Sequence, residues 1–293
     1  MRLATFELNG QQDWGLVNLE LGLICPSKLW LGEGAPKTLL DFIRLYHDRT
    51  SSLVEPKPSR GWLKLEEVHI LAPIPRPTRN VFCVGKNYQD HVSELARVGH
   101  STQTEILHPH FFTKATNAVT GPYSKVYLHP QVTSQVDYEA ELAVIIGKGG
   151  INIPEERAIE HVFGYTILND LTARDLQKNH VQWFKGKSLD GFCPMGPWIV
   201  TKDEITHPVE LRIRTWVNGE LRQDSNTKYM IFSVAKLISI LSQGLTLEPG
   251  DILATGTPSG VGMGFSPPKL LKAGDVVRIE IEKIGHIENQ MYV

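Results

Sequence analysis

The stretch VDYEAELAVIIGKGG, Val136 to Gly150, restricts the fold more than any other part of the chain. Its run of small, β-branched and alternating residues reads as a strand ending at Gly147. Alternation puts Asp137, Glu139 and Glu141 on one face, followed there by Ala143 and Ile145, while Leu142, Val144 and Ile146 form a plain core face. Like charges stacked on one face are unfavourable unless something positive stands between them, and a hard divalent ion coordinated by oxygens meets that need. A fold that uses this strand has to bring a cation to its start.

A second strand, HVFGYTILND, comes next and ends at Asp170, and LTARDLQ reads as the start of a helix. A carboxylate at a strand end is well placed to complete an oxygen site, giving Glu139, Glu141 and Asp170 as three ligands with room for water and substrate. The plainer alternative makes Asp170 a helix cap and leaves the two glutamates on a solvated edge. Residue types alone leave both readings open.

The rest of the chain alternates strand and turn signals. RLATFEL and WGLVNL flank Asn9-Gly10, and ELRIRTWV and ELR flank Asn218-Gly219, so two hairpins are expected. TLLDFIRLYH places Leu39, Leu40, Phe42, Ile43 and Tyr46 at helical spacing, and IFSVAKLISILSQG places Ile231, Val234, Leu237, Ile238 and Leu241 on one stripe that stops at Gly244. VVRIEIEK is a half-exposed strand with Val277, Ile279 and Ile281 inward. Many strands and few helices favour an α+β fold over a doubly wound sheet. Prolines between Glu55 and Gly61 and in PIPRP mark a boundary near residue 75, dividing a small N-terminal domain, 1–75, from a larger domain, 76–293.

Composition removes several function classes. With 30 basic against 32 acidic residues among 293, the net charge of −2 gives no electrostatic footprint for nucleic acid or an anionic membrane. No apolar run reaches the ~20 residues that span a bilayer, and MRLATFELNG is neither a signal nor a transit peptide, so a cytoplasmic location is expected. Cys25, Cys83 and Cys193 are odd in number and form no CxxC pair, which argues for core thiols rather than disulfides or zinc. GDILATGTPSGVGMG lacks the ending of a P-loop and the spacing of a dinucleotide fingerprint.

NVFCVGKNYQDHVSEL reads as a short strand and then a helix that places His91 beside Glu94. By residue type alone this is a surface ion pair worth roughly 0.2–1 kcal/mol. The polar stretch Leu95 to Pro109 has no clear period and reads as a mobile loop beside it. Lys114 either faces the site or the solvent, and because most lysines are solvated it is left outside the candidate site; Lys185 is expected at the surface.

Five strings in order, GKNYQDHVSE, VDYEAELAVIIGK, YTILNDLTARDLQ, GKSLDGFCPMGPW and GDILATGTPSGVG, resemble the catalytic domain of the fumarylacetoacetate hydrolase family from about Asn80 to the C-terminus. The resemblance implies a mixed β-roll-type catalytic domain with Mg²⁺ or Mn²⁺ on Glu139, Glu141 and Asp170. It also implies a His91–Glu94 dyad that activates water, Lys187 beside a developing negative oxygen, and Gln177 and Thr257 on the substrate. If the loop after His91 closes as a lid, it excludes bulk water. Fumarylacetoacetase itself has an additional aspartate in a DFxS-type motif, where this chain has only HPHFFTKA. The resemblance is thus closer to shorter members acting on acylpyruvates, oxaloacetate or related dioxo acids.

The function implied by this resemblance is that of a homodimeric, divalent-metal hydrolase that cleaves a C–C bond of a 2,4-dioxo acid and leaves a pyruvate enolate. Oxaloacetate decarboxylation and isomerisation of hydroxymuconate-type acids are alternatives on the same site, because both use an enolate. A catalytically silent metabolite-binding protein is the alternative of another class.

Overall fold

The computed structural model describes residues 1–47, 53–99, 102 and 105–293. Both expected hairpins form. Arg2–Leu8 pairs antiparallel with Gln11–Asn18, and Arg212–Val217 with Glu220–Asn226. At the second turn Asn218 and Gly219 have φ of 51° and 78°, the left-handed pair that matches the twist of the flanking strands.

Among the described residues, a twelve-stranded mixed sheet forms the backbone of the molecule. Its central order is Arg2–Leu8, Cys193–Thr201, Val162–Asn169, Ala140–Ile146, Ile252–Ala254, Val81–Gly85 and His110–Lys114. N-terminal residues enter this sheet directly, since Arg2 and Leu3 pair with Val200 and Ile199. A five-stranded sheet is built on Arg212–Val217, Val276–Ile281 and Gly285–Tyr292, with Val277, Ile279 and Ile281 buried. With several sheets and few helices, the fold is α+β.

The strand Ala140–Ile146 is buried along its whole length because both of its faces are covered. Leu142, Val144 and Ile146 enter one hydrophobic cluster and Ala143 and Ile145 another, the second shared with Trp14, Phe42 and Phe163. A strand lying between two cores reads as continuously apolar, and only its first residues are free to carry charge. Leu39–Tyr46 is a helix, capped by the Thr38 side chain and burying Leu39, Phe42 and Ile43. Val234–Leu241 is capped by Ser233, with Ile231 lying before it. Cys25, Cys83 and Cys193 are buried free thiols. Among the described residues no helix is long and apolar enough to cross a membrane.

Two boundaries differ from expectation, and both bear on the site. The acidic strand does not run unbroken from Val136. Val136–Asp137 instead pairs with Thr172–Ala173 as a separate ribbon, and the long strand starts at Ala140. The break places Asp137 on that ribbon, outside the group formed by Glu139, Glu141 and Asp170. That same ribbon delays the helix expected at LTARDLQ, which begins at Arg174 only after Thr172–Ala173 has made its ladder.

Leu142 is fully buried in the larger cluster. Leu142→Ala should lower stability by about 2–5 kcal/mol, read as a fall in the urea midpoint at an unchanged slope. An unchanged midpoint would contradict this account of the core.

Candidate active site

The site lies where the long strand starts and its neighbour ends. Val162–Asn169 pairs with Ala140–Ile146 so that Ala140 faces Asn169. Two further bonds fix the corner: Asp170 N–H donates to the Glu139 carbonyl at 2.8 Å, and Glu139 N–H donates to Asn169 Oδ1 at 3.1 Å. This register brings together Glu139, Glu141 and Asp170, all buried, each offering a carboxylate oxygen within 4.8 Å of the others. Like charges at that separation repel by roughly 3 kcal/mol per pair at an effective dielectric of about 20, so the arrangement requires compensation.

Three buried cations supply part of it. Lys187 Nζ donates to Glu139 Oε2 at 2.8 Å and to Asp170 Oδ2 at 2.6 Å. Lys114 Nζ donates to Asp170 Oδ1 at 2.5 Å and to the Leu171 carbonyl at 3.1 Å. Arg174 Nη2 lies 2.7 Å from Glu139 Oε1 and donates to Asp137 Oδ2 at 2.8 Å. Of the two positions open to Lys114, site or solvent, it takes the first: its side chain is fully buried, and pairing with Asp170 makes that burial tolerable. Lys185 is exposed, as expected. Asp170 is held by two lysines and does not serve as a helix cap.

The glutamates differ sharply. Burial works against ionising Glu139, but Lys187 and Arg174 outweigh it and hold the carboxyl well below the usual range. Glu141 has no such partner. Burial, then the charges of Asp170 and Glu139, push its carboxyl well above the usual range, opposed by Lys187 and by a 2.8 Å bond from Gly256 N–H. Gly256 must be glycine, since φ is +96° and a Cβ would meet Asn87 Cβ at 2.8 Å. Asp137, Glu139, Glu141 and Asp170 against Lys114, Arg174 and Lys187 leave one surplus negative charge when all are ionised. The donor set fits a hard divalent ion: carboxylate oxygens only, buried, convergent and short of positive charge.

His91 and Glu94 sit on the helix Gln89–Arg97, and both are buried, 4% and 7% exposed, so they are not a surface pair. His91 Nδ1 lies 3.1 Å from Glu94 Oε2, while Glu94 Oε1 accepts from Gly260 N–H at 2.9 Å. Glu94 thus orients the ring and leaves Nε2 for the cavity. A cavity of about 690 Å³ is lined by His91, Glu139, Glu141, Gln177, Lys187 and Thr257. Gln177 Oε1 accepts from Arg174 Nη1, and Thr257 Oγ1 accepts from Gln223 Nε2. Phe112, Trp183 and Leu95 give the same cavity an apolar side.

Of the stretch expected to form a mobile loop, Leu95–Arg97 completes the helix. Residues 100, 101, 103 and 104 lie outside the described residues, and the expected lid falls on them. Sequence reasoning left Lys114 outside the site and passed over Arg174 and the buried role of Asp137. Arg174 stood inside the TARD string, and an arginine following an acidic strand was its available signal; Lys114 gave none.

The family model described as fumarylacetoacetate (FAA) hydrolase, C-terminal, matches residues 80–292. The chain belongs to the fumarylacetoacetate hydrolase family. Oxaloacetate tautomerase YisK of Bacillus subtilis (strain 168) is 47% identical over 304 residues, covering 99% of this chain and 100% of that protein. Among solved structures, fumarylacetoacetate hydrolase (EaFAH) of psychrophilic Exiguobacterium antarcticum is 43% identical with a TM-score of 0.85, covering 100% of this chain and 99% of that one. Maleylpyruvate hydrolase from Sphingobium sp. SYK-6 is 30% identical with a TM-score of 0.80, at the same coverage. Membership of this enzyme family agrees with a buried acidic group able to hold a metal.

A proton on Glu141 competes with a metal ion for the same oxygens. Because the Glu141 carboxyl is raised, lowering the pH refills it and weakens binding, so Mg²⁺ affinity should rise with pH above the usual carboxylate range. Calorimetric titration in buffers of different ionisation heat should show proton release on binding, and Glu141→Ala should abolish that release. Binding without pH dependence would contradict the role given to Glu141.

Proposed function

We propose that this chain is a divalent-metal enzyme acting on small 2-oxo acids through their enolates, and that keto–enol interconversion of oxaloacetate is the reaction its site fits best. The observation that carries the proposal is that an oriented imidazole, His91, and an acidic group able to hold metal, Glu139–Glu141–Asp170, line or adjoin one cavity. The full-length likeness to an oxaloacetate tautomerase supports the substrate.

Mg²⁺ or Mn²⁺ held by Glu139, Glu141 and Asp170 would supply Lewis-acid polarisation of the substrate's oxygens. The remaining work belongs to side chains. His91 Nε2 takes a proton from C3 of the keto acid, and the electrons of that C–H bond become the C2–C3 double bond. Negative charge moves to the C2 oxygen, where Lys187 opposes it, and return of the proton from the His91 imidazolium to that oxygen completes the enol and restores the neutral ring. Burial lowers the pKa of Lys187, but its carboxylate partners Asp170 and Glu139 outweigh burial, and the balance is upward. Glu94 stabilises the imidazolium formed during the transfer. Gln177 and Thr257 bind the substrate carboxylate.

Hydrolysis of acylpyruvates is the second reading, with His91 activating water instead of taking a carbon-bound proton. The apolar side of the cavity, Phe112, Trp183 and Leu95, favours it, because a four-carbon acid offers that surface nothing to bury. Likeness to a maleylpyruvate hydrolase supports it as well. Decarboxylation of oxaloacetate needs no proton taken from carbon and is the reaction least dependent on His91. A homodimer is proposed too; light scattering at micromolar concentration should report twice the 32.8 kDa chain mass.

His91→Ala and Glu94→Ala should each slow oxaloacetate tautomerisation ~10²–10⁴-fold at saturating substrate, followed by the enol's ultraviolet absorbance with bound metal verified. Near wild-type rates in both would overturn the proton-transfer role. Loss of pyruvate release from acylpyruvates, with tautomerisation untouched, would move the hydrolase reading to first place.

A further inference from the structure

Asp137 is fully buried and takes no part in the metal-holding group, yet its carboxylate accepts five hydrogen bonds. Oδ2 accepts from Arg174 Nε at 3.0 Å, Arg174 Nη2 at 2.8 Å and Met263 N–H at 3.0 Å. Oδ1 accepts from Gly262 N–H at 2.7 Å and from its neighbour Tyr138 N–H at 2.9 Å. Nothing but an ionised carboxylate offers enough acceptor capacity for that set of donors.

The partners lead in two directions. Toward the metal-holding group, Arg174 carries the contact one bond further, from Asp137 to Glu139 Oε1 at 2.7 Å. Toward the proton-transfer pair, the loop that includes Gly262 and Met263 also includes Gly260, whose N–H reaches Glu94 Oε1. Tyr138 reinforces this second route, since its hydroxyl donates to the Gly260 carbonyl at 2.9 Å. Two bonds from Asp137 therefore reach Glu139 on one side, and a three-residue span of loop reaches Glu94 on the other.

We infer that Asp137 is a positioning residue that holds the two halves of the site in register, fixing Arg174 against Glu139 and fixing the Gly260–Met263 loop that steadies Glu94. This rests on reading Glu139 as a metal ligand and His91–Glu94 as the proton-transfer pair. Partners that orient metal ligands are typically worth ~10–100-fold in metal affinity or activity. Asparagine at 137 keeps the shape but has a single oxygen. Its amide must then face either the Arg174 and Met263 donors or the Gly262 and Tyr138 donors, leaving one set opposed N–H to N–H.

The test is Asp137→Asn in the full chain, with Mg²⁺ affinity read by calorimetry and kcat and KM for oxaloacetate read separately. The expected result is Mg²⁺ binding weakened ~10–100-fold, with kcat reduced more than KM is raised. In a double-mutant cycle on kcat, Glu94→Gln should cost at least tenfold less in the Asp137→Asn background than in wild type, because its anchor is already loosened. Wild-type Mg²⁺ affinity together with an additive cycle would overturn the inference and leave Asp137 a purely structural residue. If Asp137→Asn does not fold, Arg174→Lys decides: it keeps the charge but loses the fork that joins Asp137 to Glu139. Mg²⁺ affinity reduced over the same range supports the inference, and unchanged affinity overturns it. Mg²⁺ binding is read without substrate, so a wild-type protein that binds Mg²⁺ and leaves oxaloacetate unchanged would sink the function proposed above and leave this arm decisive.

Discussion

Charge balance in a dry corner of the sheet is the constraint on which the rest of the site depends. Three carboxylates lie within 4.8 Å of one another at a strand junction, with a fourth close by on Arg174. Lys114, Arg174 and Lys187 are each buried against them. Burying these ions separately would cost several kcal/mol apiece, and only their interlocking makes the cluster tolerable. It remains one positive charge short when all seven are ionised. Burial and the charges of Asp170 and Glu139 push the carboxyl of Glu141, the one without a cation of its own, well above the usual range. A divalent ion bound with all seven groups ionised leaves one positive charge in excess, which one of the two carboxylates of oxaloacetate would neutralise. The chemistry proposed for 2-oxo acids therefore matches the cluster's electrostatics as well as its ligand types.

Fold and site are one problem here. The register that pairs Ala140 with Asn169 also pairs apolar residues along both faces of the same strands, so a slip of one residue would exchange the side chains of the two cores while scattering the carboxylates. Asp137 stands off this ladder on the Val136–Asp137 ribbon, which frees it to gather Arg174 and the Gly262–Met263 backbone. The site thus combines rigid strand ends with one loop tied back to them. Glu94 accepts from Gly260 N–H in the same loop, so the His91–Glu94 pair is tied to the loop as well as to its own helix.

Much of this was legible in the chain. Asn-Gly turns announced the hairpins, and the run from Ala140 to Ile146 read as a strand from its small and β-branched residues, though burial of both its faces was not read. Glu139, Glu141 and Asp170 were readable as a group because like charges need a reason to gather. Lys114 was not readable: its burial follows from Asp170, which is 56 positions away, and lysine in a strand more often faces water. Asp137 was misplaced because a pattern of alternate acids implies one unbroken strand, and no local signal marks the break at Tyr138–Glu139. The apolar side of the cavity was equally hidden, since Trp183, Phe112 and Leu95 are brought together only by tertiary packing.

The most direct test of the account is anomalous diffraction from crystals of this protein soaked with Mn²⁺. One strong peak per chain is predicted among Glu139, Glu141 and Asp170, with an oxygen of each at about 2 Å. Absence of a peak there, or an ion held by other residues while Lys187 stays bonded to Glu139 and Asp170, would contradict the claim that this cluster is built to hold a divalent cation.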